Sequence, residues 1–198
     1  MLNMDPYVYP GTDVLRNLRD IRDQEGLSSA EAIATTRRLT ELHLKPRAGK
    51  FDIPHLQSIH HHIFQDIYQW AGKFRQVNIA RSGQFFFAFH EQIQSVLNQT
   101  FNSLNADQHL ANSDPAKFAN RAAYYLGELN AIHPFRDGNG RTQREFVREL
   151  ALRQGHHLNW FHVSRDQMYL ASQQSFHSGD NRGLEEAISR ALAIDPIS

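Results

Sequence analysis

The segment from residue 133 to residue 144 contains most of the side chains that could do chemistry together. It reads His-Pro-Phe-Arg-Asp-Gly-Asn-Gly-Arg-Thr-Gln-Arg. The imidazole of His133 is partly neutral near pH 7 and can accept a proton from a hydroxyl group. Gly138 and Gly140 allow the backbone to turn tightly and to bring its N–H groups close to an anion. The segment therefore holds the parts needed to bind a polyphosphate and to move a proton beside it.

The charged residues of this segment indicate the same kind of ligand. Arg141 and Arg144 are three residues apart, so they project from neighbouring points of a helix and can reach successive phosphates. Asp137 would repel a phosphate unless a divalent cation lay between them, which predicts a Mg²⁺ ligand. A Walker A loop is excluded, because no Gly-Lys-Ser/Thr sequence follows the glycines. Each residue alone is more often structural, and the prediction rests on their joint occurrence.

The segment resembles the motif of the Fic family, His-x-Phe-x-Asp/Glu-Gly-Asn-Gly-Arg-x-x-Arg, with all eight specified positions present. The resemblance implies an ATP- and Mg²⁺-dependent protein adenylyltransferase, in which the hydroxyl of a target protein attacks the α-phosphorus of ATP. AMP then remains on the target, and pyrophosphate leaves. By this resemblance His133 would be the general base, Asp137 the Mg²⁺ ligand, Gly138, Asn139 and Gly140 the cradle of the α- and β-phosphates, Arg141 the β-phosphate contact and Arg144 the γ-phosphate contact.

Residues 74–88 show the alternation of a β-hairpin. Arg75, Val77 and Ile79 alternate with polar or small residues, and the turn-forming run 81–84 separates them from a second apolar run. The segment resembles the flap of Fic proteins, a hairpin that pairs with the main chain of the target and positions its hydroxyl. The resemblance implies that the docking residues are Val77, Asn78, Ile79, Ala80, Arg81, Ser82 and Gly83.

The adenine pocket has no motif of its own in this sequence. Fic proteins hold the base against the helix that follows the motif helix, which corresponds here to residues 165–176. In that segment, Tyr169 and Ser175 are predicted to contact the nucleotide.

Apart from the hairpin, the periodicity of the sequence is helical. It predicts an all-α helical domain with one β-hairpin, in a single domain spanning residues 1–198. The resemblance implies that this domain is a helical bundle of the Fic fold and that the hairpin is its flap. Residues 1–11 are predicted to form an irregular arm. The predicted helices are Asp13–Asp20, a helix from a Ser28/Glu31 capping box to Leu44, Ile53–Ala71 closed by Gly72, Glu91–Leu104, Pro115–Ile132, Gly140–Arg153, a helix begun by Ser164 and Gln167, and Gly183–Ala193.

The composition narrows the possible partners. Lys plus Arg and Asp plus Glu both number 21, so the chain lacks the basic excess of a protein that binds nucleic acid or an acidic membrane. Without cysteine it has no disulfide, thiolate nucleophile or Cys-based zinc site. Its longest apolar run, 85–89, is too short to span a bilayer, and its first residues do not resemble a signal peptide, so a cytoplasmic location is expected. The consecutive histidines 60–62 point about 100° apart on a helix and are not expected to share a metal ion.

A missing pattern refines the resemblance. Many Fic proteins are silenced by a helix with the pattern Ser/Thr-x-x-x-Glu, whose Glu pairs with the arginine equivalent to Arg144, and this sequence has no such pattern. In this it resembles the short Fic toxins, which a small separate antitoxin silences by supplying that helix. Residues 5–7 and 68–72 are also similar to this subgroup. The resemblance implies a bacterial toxin that modifies a Tyr, Ser or Thr hydroxyl of the ATPase subunits of gyrase and topoisomerase IV.

Two alternatives remain open from the sequence. A Doc-like kinase of the same fold would bind ATP in reverse and transfer a phosphate. That branch lacks the second motif glycine, whereas Gly140 is present here, which favours AMP transfer. The other alternative is a non-catalytic helical interaction module, against which the unbroken motif argues.

Overall fold

The computed structural model describes residues 5–82 and 85–192. In this part of the chain it has seven α-helices and one two-stranded antiparallel hairpin, which confirms the predicted all-α bundle with a hairpin. None of these helices combines the length and the apolar character that crossing a membrane requires. The elements are α1 (Gln24–Leu44), α2 (Ile53–Phe64), β1 (Ala80–Ser82), β2 (Phe85–Phe86), α3 (Ile93–Ala106), α4 (Pro115–Ile132), α5 (Asn139–Arg153), α6 (Arg165–Ser178) and α7 (Arg182–Leu192).

Helices α4 and α5 are central to the bundle, and the motif joins them. Helix α4 packs against α3, α5, α6 and α7, and α5 also packs against α2. Small residues such as Ala122 and Gly127 are buried on α4 and allow its neighbours to approach closely. Asp114 caps the start of α4 by accepting a hydrogen bond from the Lys117 N–H at 2.8 Å, as the Asp-Pro sequence predicts. The loop that follows α4 is therefore anchored by a packed helix at each end.

The predicted boundaries hold best in the C-terminal half. Helix α4 has the predicted bounds, and α5 and α7 begin within one residue of theirs. Ser164 and Gln167, which were predicted to begin α6, form a capping box there, since each side chain accepts the backbone N–H of the other, at 3.2 and 2.9 Å. Helix α3 begins at Ile93, after a short 3-10 turn that includes the predicted start, Glu91.

The start of α1 corrects the sequence-based prediction. The N-cap is Asp23, whose side chain accepts the N–H of Gly26 at 2.7 Å. The helix therefore begins at Gln24, five residues before Ser29, where a cap at Ser28 would have started it. Ser28 and Glu31 lie inside the helix and do not form a capping box. Both Asp23 and Ser28 satisfy the sequence rule for a cap, and local spacing does not choose between them. The carboxylate of Glu31 is bound by the motif instead.

The predicted short helix Asp13–Asp20 is wrong. Asn17 ties this segment into turns, because its amide nitrogen donates to the carbonyls of Leu15 and Ile21 at 3.0 and 2.7 Å. Its amide oxygen also accepts the N–H of Ile21 at 3.0 Å. Such side-chain bonds to the backbone compete with helix formation, and here they replace it.

Helix α2 ends at Phe64, seven residues before the predicted end at Ala71. Beyond it, the rings of Tyr68 and Trp70 stack with centroids 4.3 Å apart. Residues two apart point to opposite sides of a helix, so this stacking requires the turns found there. Gly72, predicted as the helix cap, has a φ of 81° and ends these turns.

The hairpin lies where it was predicted but pairs over fewer residues. In its ladder Ala80 faces Phe86, with an irregularity in the register. Outside the ladder, the N–H of Phe87 donates to the carbonyl of Ile79 at 3.2 Å. Gly83, one of the predicted docking residues, lies outside the described residues. The flap is thus a short ladder. The segments 75–79 and 87–88, which lead into and out of it, form a longer and irregular part that we call the stem.

Candidate active site

Two left-handed residues shape the loop between α4 and α5. His133 ends α4 with a φ of 49°, and Gly138 precedes α5 with a φ of 79°. A Cβ at Gly138 would lie 2.2 Å from the ring of Phe64, so this close approach requires glycine. The buried side chain of Asn139 bonds both the N–H and the carbonyl of Phe135, at 2.9 and 2.8 Å. Asn139 therefore shapes the loop with its side chain, while the first N–H groups of α5 remain available for an anion.

His60 of α2 supports the loop from within the core. Its ring stacks on Phe135 with centroids 3.8 Å apart. Its Nε2 donates to the carbonyl of Asp137 at 3.0 Å, and its Nδ1 accepts the N–H of Gly72 at 2.8 Å. Burial lowers the pKa of His60 to about 3, although its hydrogen bond to Asp137 acts in the opposite direction. The imidazole is therefore neutral at pH 7, and it serves the loop as a fixed donor and acceptor.

His133, the predicted general base, lies against the stem of the flap. Its ring stacks on Phe87 with centroids 3.9 Å apart, and it keeps part of its surface accessible. Its Nδ1 lies 3.4 Å from the Asn130 carbonyl oxygen, which can only accept, so the proton belongs on Nδ1 and Nε2 can receive another. Burial lowers the pKa of His133 to about 3, and the cations of Arg75 and Arg81 add to that effect. The imidazole is neutral at pH 7, as a general base must be.

Arg141, the first arginine after the glycines, is held by α1 and α2. Its Nη2 donates to Oε1 of Glu31 at 2.6 Å, and its Nη1 donates to Oγ1 of Thr35 at 3.3 Å. Its guanidinium carbon lies 4.7 Å from the ring centroid of Phe64. Burial and the hydrogen bond to Glu31 raise the pKa of Tyr68, so that phenol stays protonated and donates to the same carboxylate. These contacts fix Arg141 in the wall of the site while leaving it further N–H groups.

Arg144 has no comparable partner. Within residues 5–82 and 85–192 its side chain forms no hydrogen bond or ion pair, and it lines the same cavity as Arg141. Burial, and then the neighbouring cation of Arg141, lowers the pKa of Arg144 to about 10, so it remains charged at pH 7. A desolvated cation without a counter-ion is unfavourable. Arg144 is therefore suited to receive an anion.

Asp137 is the acidic residue of the motif. Its side chain is 44% exposed, and its Oδ2 lies 4.0 Å from Nη2 of Arg141. Mg²⁺ is commonly held by one or two carboxylates together with substrate phosphates, and an accessible carboxylate beside phosphate-binding arginines fits that arrangement. The described residues contain no group of three or more His, Asp or Glu side chains able to hold a metal ion by themselves. A cation at Asp137 therefore needs the phosphates as further ligands.

A cavity of about 1110 Å³ joins the motif to the flap, α1, α4 and α6. Ligand pockets are commonly about 300–1,000 Å³, so this one has room for a nucleotide and part of a second molecule. Tyr169, one of the two residues predicted to contact the nucleotide, lines the cavity. Ser175 is instead buried and donates to the side-chain oxygen of Asn181 at 2.7 Å, whereas Ser172, nearly one turn earlier, lines the cavity. The structure brings Tyr169 to the site but not Ser175.

The predicted flap residues are divided between the cavity and the stem. Arg81 donates to the side-chain oxygen of Asn130 on α4 at 3.2 Å. In the stem, the side chain of Asn78 accepts the N–H of His90 at 2.8 Å, and the carbonyl of Val77 accepts a bond from a buried arginine. The docking residues that line the cavity are Ile79, Ala80 and Arg81.

Further residues that contact the motif, like His60, carry no sequence signal for this role. Arg75 is buried in the stem, Glu31 binds Arg141, and Asp5 accepts two hydrogen bonds from Arg136, at 2.9 and 2.7 Å. Their partners lie 58, 110 and 131 residues away in the sequence, respectively. Local patterns do not report contacts over such distances, although the position of Arg75 on the apolar face of the predicted strand, with Val77 and Ile79, could have marked it as buried.

Gly138→Ala is expected to reduce the free energy of unfolding by about 2–5 kcal/mol. A left-handed residue with a Cβ costs about 1–2 kcal/mol, and overpacking against Phe64 adds about 1–3 kcal/mol. Gly155→Ala is the matched control, because Gly155 has the same φ of 79° but a Cβ there would meet no atom within 4 Å. Urea unfolding of both variants measures the difference, and equal losses would contradict the steric argument.

The sequence and the fold match those of known proteins. Residues 50–151 match the sequence model of the Fic/DOC family. The chain is 44% identical over 186 residues to "Protein adenylyltransferase VbhT" of Bartonella schoenbuchensis, covering 94% of this chain and 38% of that protein. It is 38% identical over 189 residues to "Probable protein adenylyltransferase y4lH" of Sinorhizobium fredii, covering 95% of this chain and 96% of that protein. The chain thus spans well under half of the first relative and nearly all of the second.

A solved structure has the same fold. It is the N-terminal Fic domain of a VirB-translocated Bep effector protein from Bartonella quintana with bound ADP. The two structures superpose with a TM-score of 0.87 at 27% sequence identity, over 93% of each chain. By the family match and by these relatives, the chain belongs to the Fic/DOC family.

Proposed function

We propose that this chain is a protein adenylyltransferase that transfers AMP from ATP to a hydroxyl side chain of a target protein. The class of enzyme is supported by relatives named protein adenylyltransferase, which are 30–44% identical over 88–96% of the chain. The observation that carries the proposal is the arrangement of one cavity, in which neutral His133 shares the wall with Gly140, Arg141 and Arg144. A proton acceptor and a phosphate-binding surface then face the same space.

The transfer is a substitution at phosphorus. As the target hydroxyl attacks the α-phosphorus of ATP, its proton passes to Nε2 of His133. The new bond joins the hydroxyl oxygen to the α-phosphorus, and the bond from the α-phosphorus to the bridging oxygen breaks, so pyrophosphate leaves with the electron pair. Arg141 and Arg144 stabilise the charge on the departing phosphates. Asp137 would hold Mg²⁺, which, when bound, neutralises phosphate charge.

ATP is the proposed substrate because related structures bind adenine nucleotides. The Bartonella quintana domain holds ADP, and a Bartonella tribocorum protein of the same fold holds AMPPNP. Transfer of AMP is preferred over transfer of phosphate because the second motif glycine is intact. A Cβ at Gly140 would lie 3.2 Å from Nη1 of Arg144, which is tighter than ordinary contact. The glycine thus leaves space beside the arginine proposed to receive the γ-phosphate.

The flap is proposed to dock the target by strand addition. A two-stranded sheet has an unpaired edge on each strand, and such edges accept a further extended segment. Part of β1 lines the cavity that contains His133. Main-chain bonds to that edge would place a side-chain hydroxyl over the nucleotide, with affinity that depends little on the target's sequence.

The proposed targets are the ATPase subunits of bacterial gyrase and topoisomerase IV, modified on a Tyr, Ser or Thr hydroxyl in the cytoplasm. The chain is proposed to be a toxin restrained by a small antitoxin whose Ser/Thr-x-x-x-Glu helix contacts Arg144. Two observations support this. The sequence contains no such pattern, and Arg144 lies free of partners among the described residues in a cavity also lined by Thr36 and Thr40 of α1.

The proposed function is tested by labelling a bacterial lysate with ATP that carries the label on either the α- or the γ-phosphate. Label from the α-phosphate should appear on a protein band, whereas label from the γ-phosphate should not. Identification of the band should return a type II topoisomerase subunit, and addition of the antitoxin helix should suppress labelling. Transfer of γ-label alone would favour the kinase, and absence of both labels would favour the interaction module. A different labelled protein would overturn the target while leaving the reaction in place.

A further inference from the structure

The side chain of Arg75 lies where the two sides of the flap stem meet the end of α4. It is 2% exposed, although arginine is rarely buried without a partner of opposite charge. All of its side-chain hydrogen bonds within the described residues go to backbone carbonyls, and no described carboxylate pairs with it. Burial lowers the pKa of Arg75 to about 10, so it still carries its charge at pH 7. Such a residue needs an explanation other than an ion pair.

The backbone carbonyls that Arg75 binds belong to the two sides of the flap stem and to the junction of α4 with the motif. In the flap, Nη1 donates to Val77 at 2.7 Å and Nη2 to Ala88 at 2.5 Å, so one guanidinium joins the two sides of the stem. On the motif side, Nε donates to His133 at 2.8 Å and Nη2 to Ile132 at 3.2 Å. The planar guanidinium therefore fixes the flap relative to the end of α4.

Further contacts make the same connection. The backbone N–H of Arg75 donates to the carbonyl of Pro134 at 3.0 Å, and that of Ala88 donates to Ala131 at 3.2 Å. The ring of Phe87, next to Ala88 in the stem, stacks on the imidazole of His133. The stem and the base thus form one packed unit, and Arg75 is the only described residue whose side chain bonds to both sides of the stem and to the motif.

We propose that Arg75 is a positioning residue that sets the distance between the target-docking edge of the flap and the imidazole of His133. This inference rests on the proposed function, because it assumes that a target pairs with the flap. Arg75 does not line the cavity. It therefore acts on the docked target hydroxyl through the backbone of the flap and leaves the nucleotide-binding side chains in place. A small displacement of the docked hydroxyl is costly, since an error of about 1 Å can reduce a rate about 100-fold.

The test uses Arg75→Lys, which keeps the charge but not the fork of donors. Lysine has three N–H donors on one atom and cannot reach four carbonyls spread around a plane. We expect affinity for a fluorescent ATP analogue to remain within about threefold, because the cavity wall is unchanged. Labelling of the target band from α-labelled ATP should fall about 10- to 100-fold, and half-maximal labelling should need several times more lysate. Hydrogen exchange at the amides of Phe87 and Ala88 should become faster.

A second variant separates positioning from loss of stability. Leu184→Ala removes a fully buried side chain of α7, away from the flap, and is expected to lower the urea concentration at the midpoint of unfolding. If Leu184→Ala reduces labelling as much as Arg75→Lys does, or if Arg75→Lys loses nucleotide affinity in parallel with labelling, Arg75 is merely structural. Unchanged exchange in the stem together with unchanged labelling would also overturn the proposal. A wild-type protein that labels nothing would sink the proposed function instead, and the exchange measurement would still decide whether Arg75 holds the stem.

Discussion

His133→Ala is expected to reduce the rate of AMP transfer about 10²- to 10⁴-fold, the range typical of losing a general base. The imidazole is neutral at pH 7 and faces the cavity, and the neighbouring Asn130 carbonyl leaves Nε2 as its proton acceptor. Nucleotide affinity should change little, because the phosphate contacts are supplied by α5. The rate is measured as incorporation of α-phosphate label into the target band, and the affinity by titration with a fluorescent ATP analogue.

The control for this variant is His157→Ala. His157 is exposed in the turn after α5 and does not line the cavity, so its removal should leave the rate unchanged. Labelling that survives in His133→Ala, at wild-type rate and with the band unchanged, would exclude His133 as the base. Loss of labelling together with loss of nucleotide binding would indicate a distorted loop rather than missing base chemistry.

Acidification from pH 6 to pH 4 is expected to destabilise the protein steeply. His60 and His133 have pKa values of about 3 in the folded protein because of burial, compared with 6.5 for an ordinary histidine. Well above pH 6.5 both residues are neutral in the folded and in the unfolded protein and contribute no pH dependence. Below pH 6.5 these two histidines bind protons in the unfolded chain but stay neutral in the folded protein. The free energy of unfolding therefore falls by up to about 2.7 kcal/mol per pH unit, until the histidines of the folded protein titrate near pH 3.

The contribution of one histidine can be isolated with His60→Gln. The variant removes a buried titrating group while keeping a donor for the Asp137 carbonyl, so the slope below pH 6 should fall by about 1.4 kcal/mol per pH unit. His61→Gln, on the exposed neighbour, is the matched control and should keep the full slope. Urea unfolding at several pH values gives these slopes whatever the absolute stability of each variant. An identical slope in His60→Gln and the wild type would show that the folded protein protonates His60 as readily as the unfolded chain does.

The sequence predicted the parts of this protein whose causes are local. The caps Asp114 and Ser164 are local signals, since each side chain accepts a backbone N–H three residues further on, so α4 and α6 have the predicted starts. The motif is likewise contiguous, and its loop lies in the predicted place between two helices, with Gly138 and Gly140 at the start of α5. In contrast, Asp23 and Ser28 both satisfy the rule for a helix cap, and local spacing does not choose between them.

The remaining features depend on contacts between distant segments. His60 reads as one of three consecutive histidines, and only the folded chain shows that it hydrogen-bonds the motif loop. Arg75 lies on the same face of the predicted strand as Val77 and Ile79, and only the folded chain shows that its side chain bonds to both sides of the stem. Ser175 and Ser172 are only three residues apart on α6, and the packing of α7 decides which of them reaches the cavity. The described part of the flap ladder is short, and alternation does not report the side-chain contacts of the stem, such as that of Asn78 with the N–H of His90.

The bond between Glu31 and Arg141 links α1 to any ligand that uses the same guanidinium. A phosphate arriving at Arg141 meets a group that already gives N–H groups to Glu31 and Thr35, so the geometry of one contact constrains the other. Thermodynamic linkage makes such an effect reciprocal. A change in the position of α1 alters the affinity for the phosphate, and the bound phosphate alters the equilibrium between positions of α1 by the same factor. A spectroscopic probe on the exposed face of α1 can thus report occupancy of a site that it never touches.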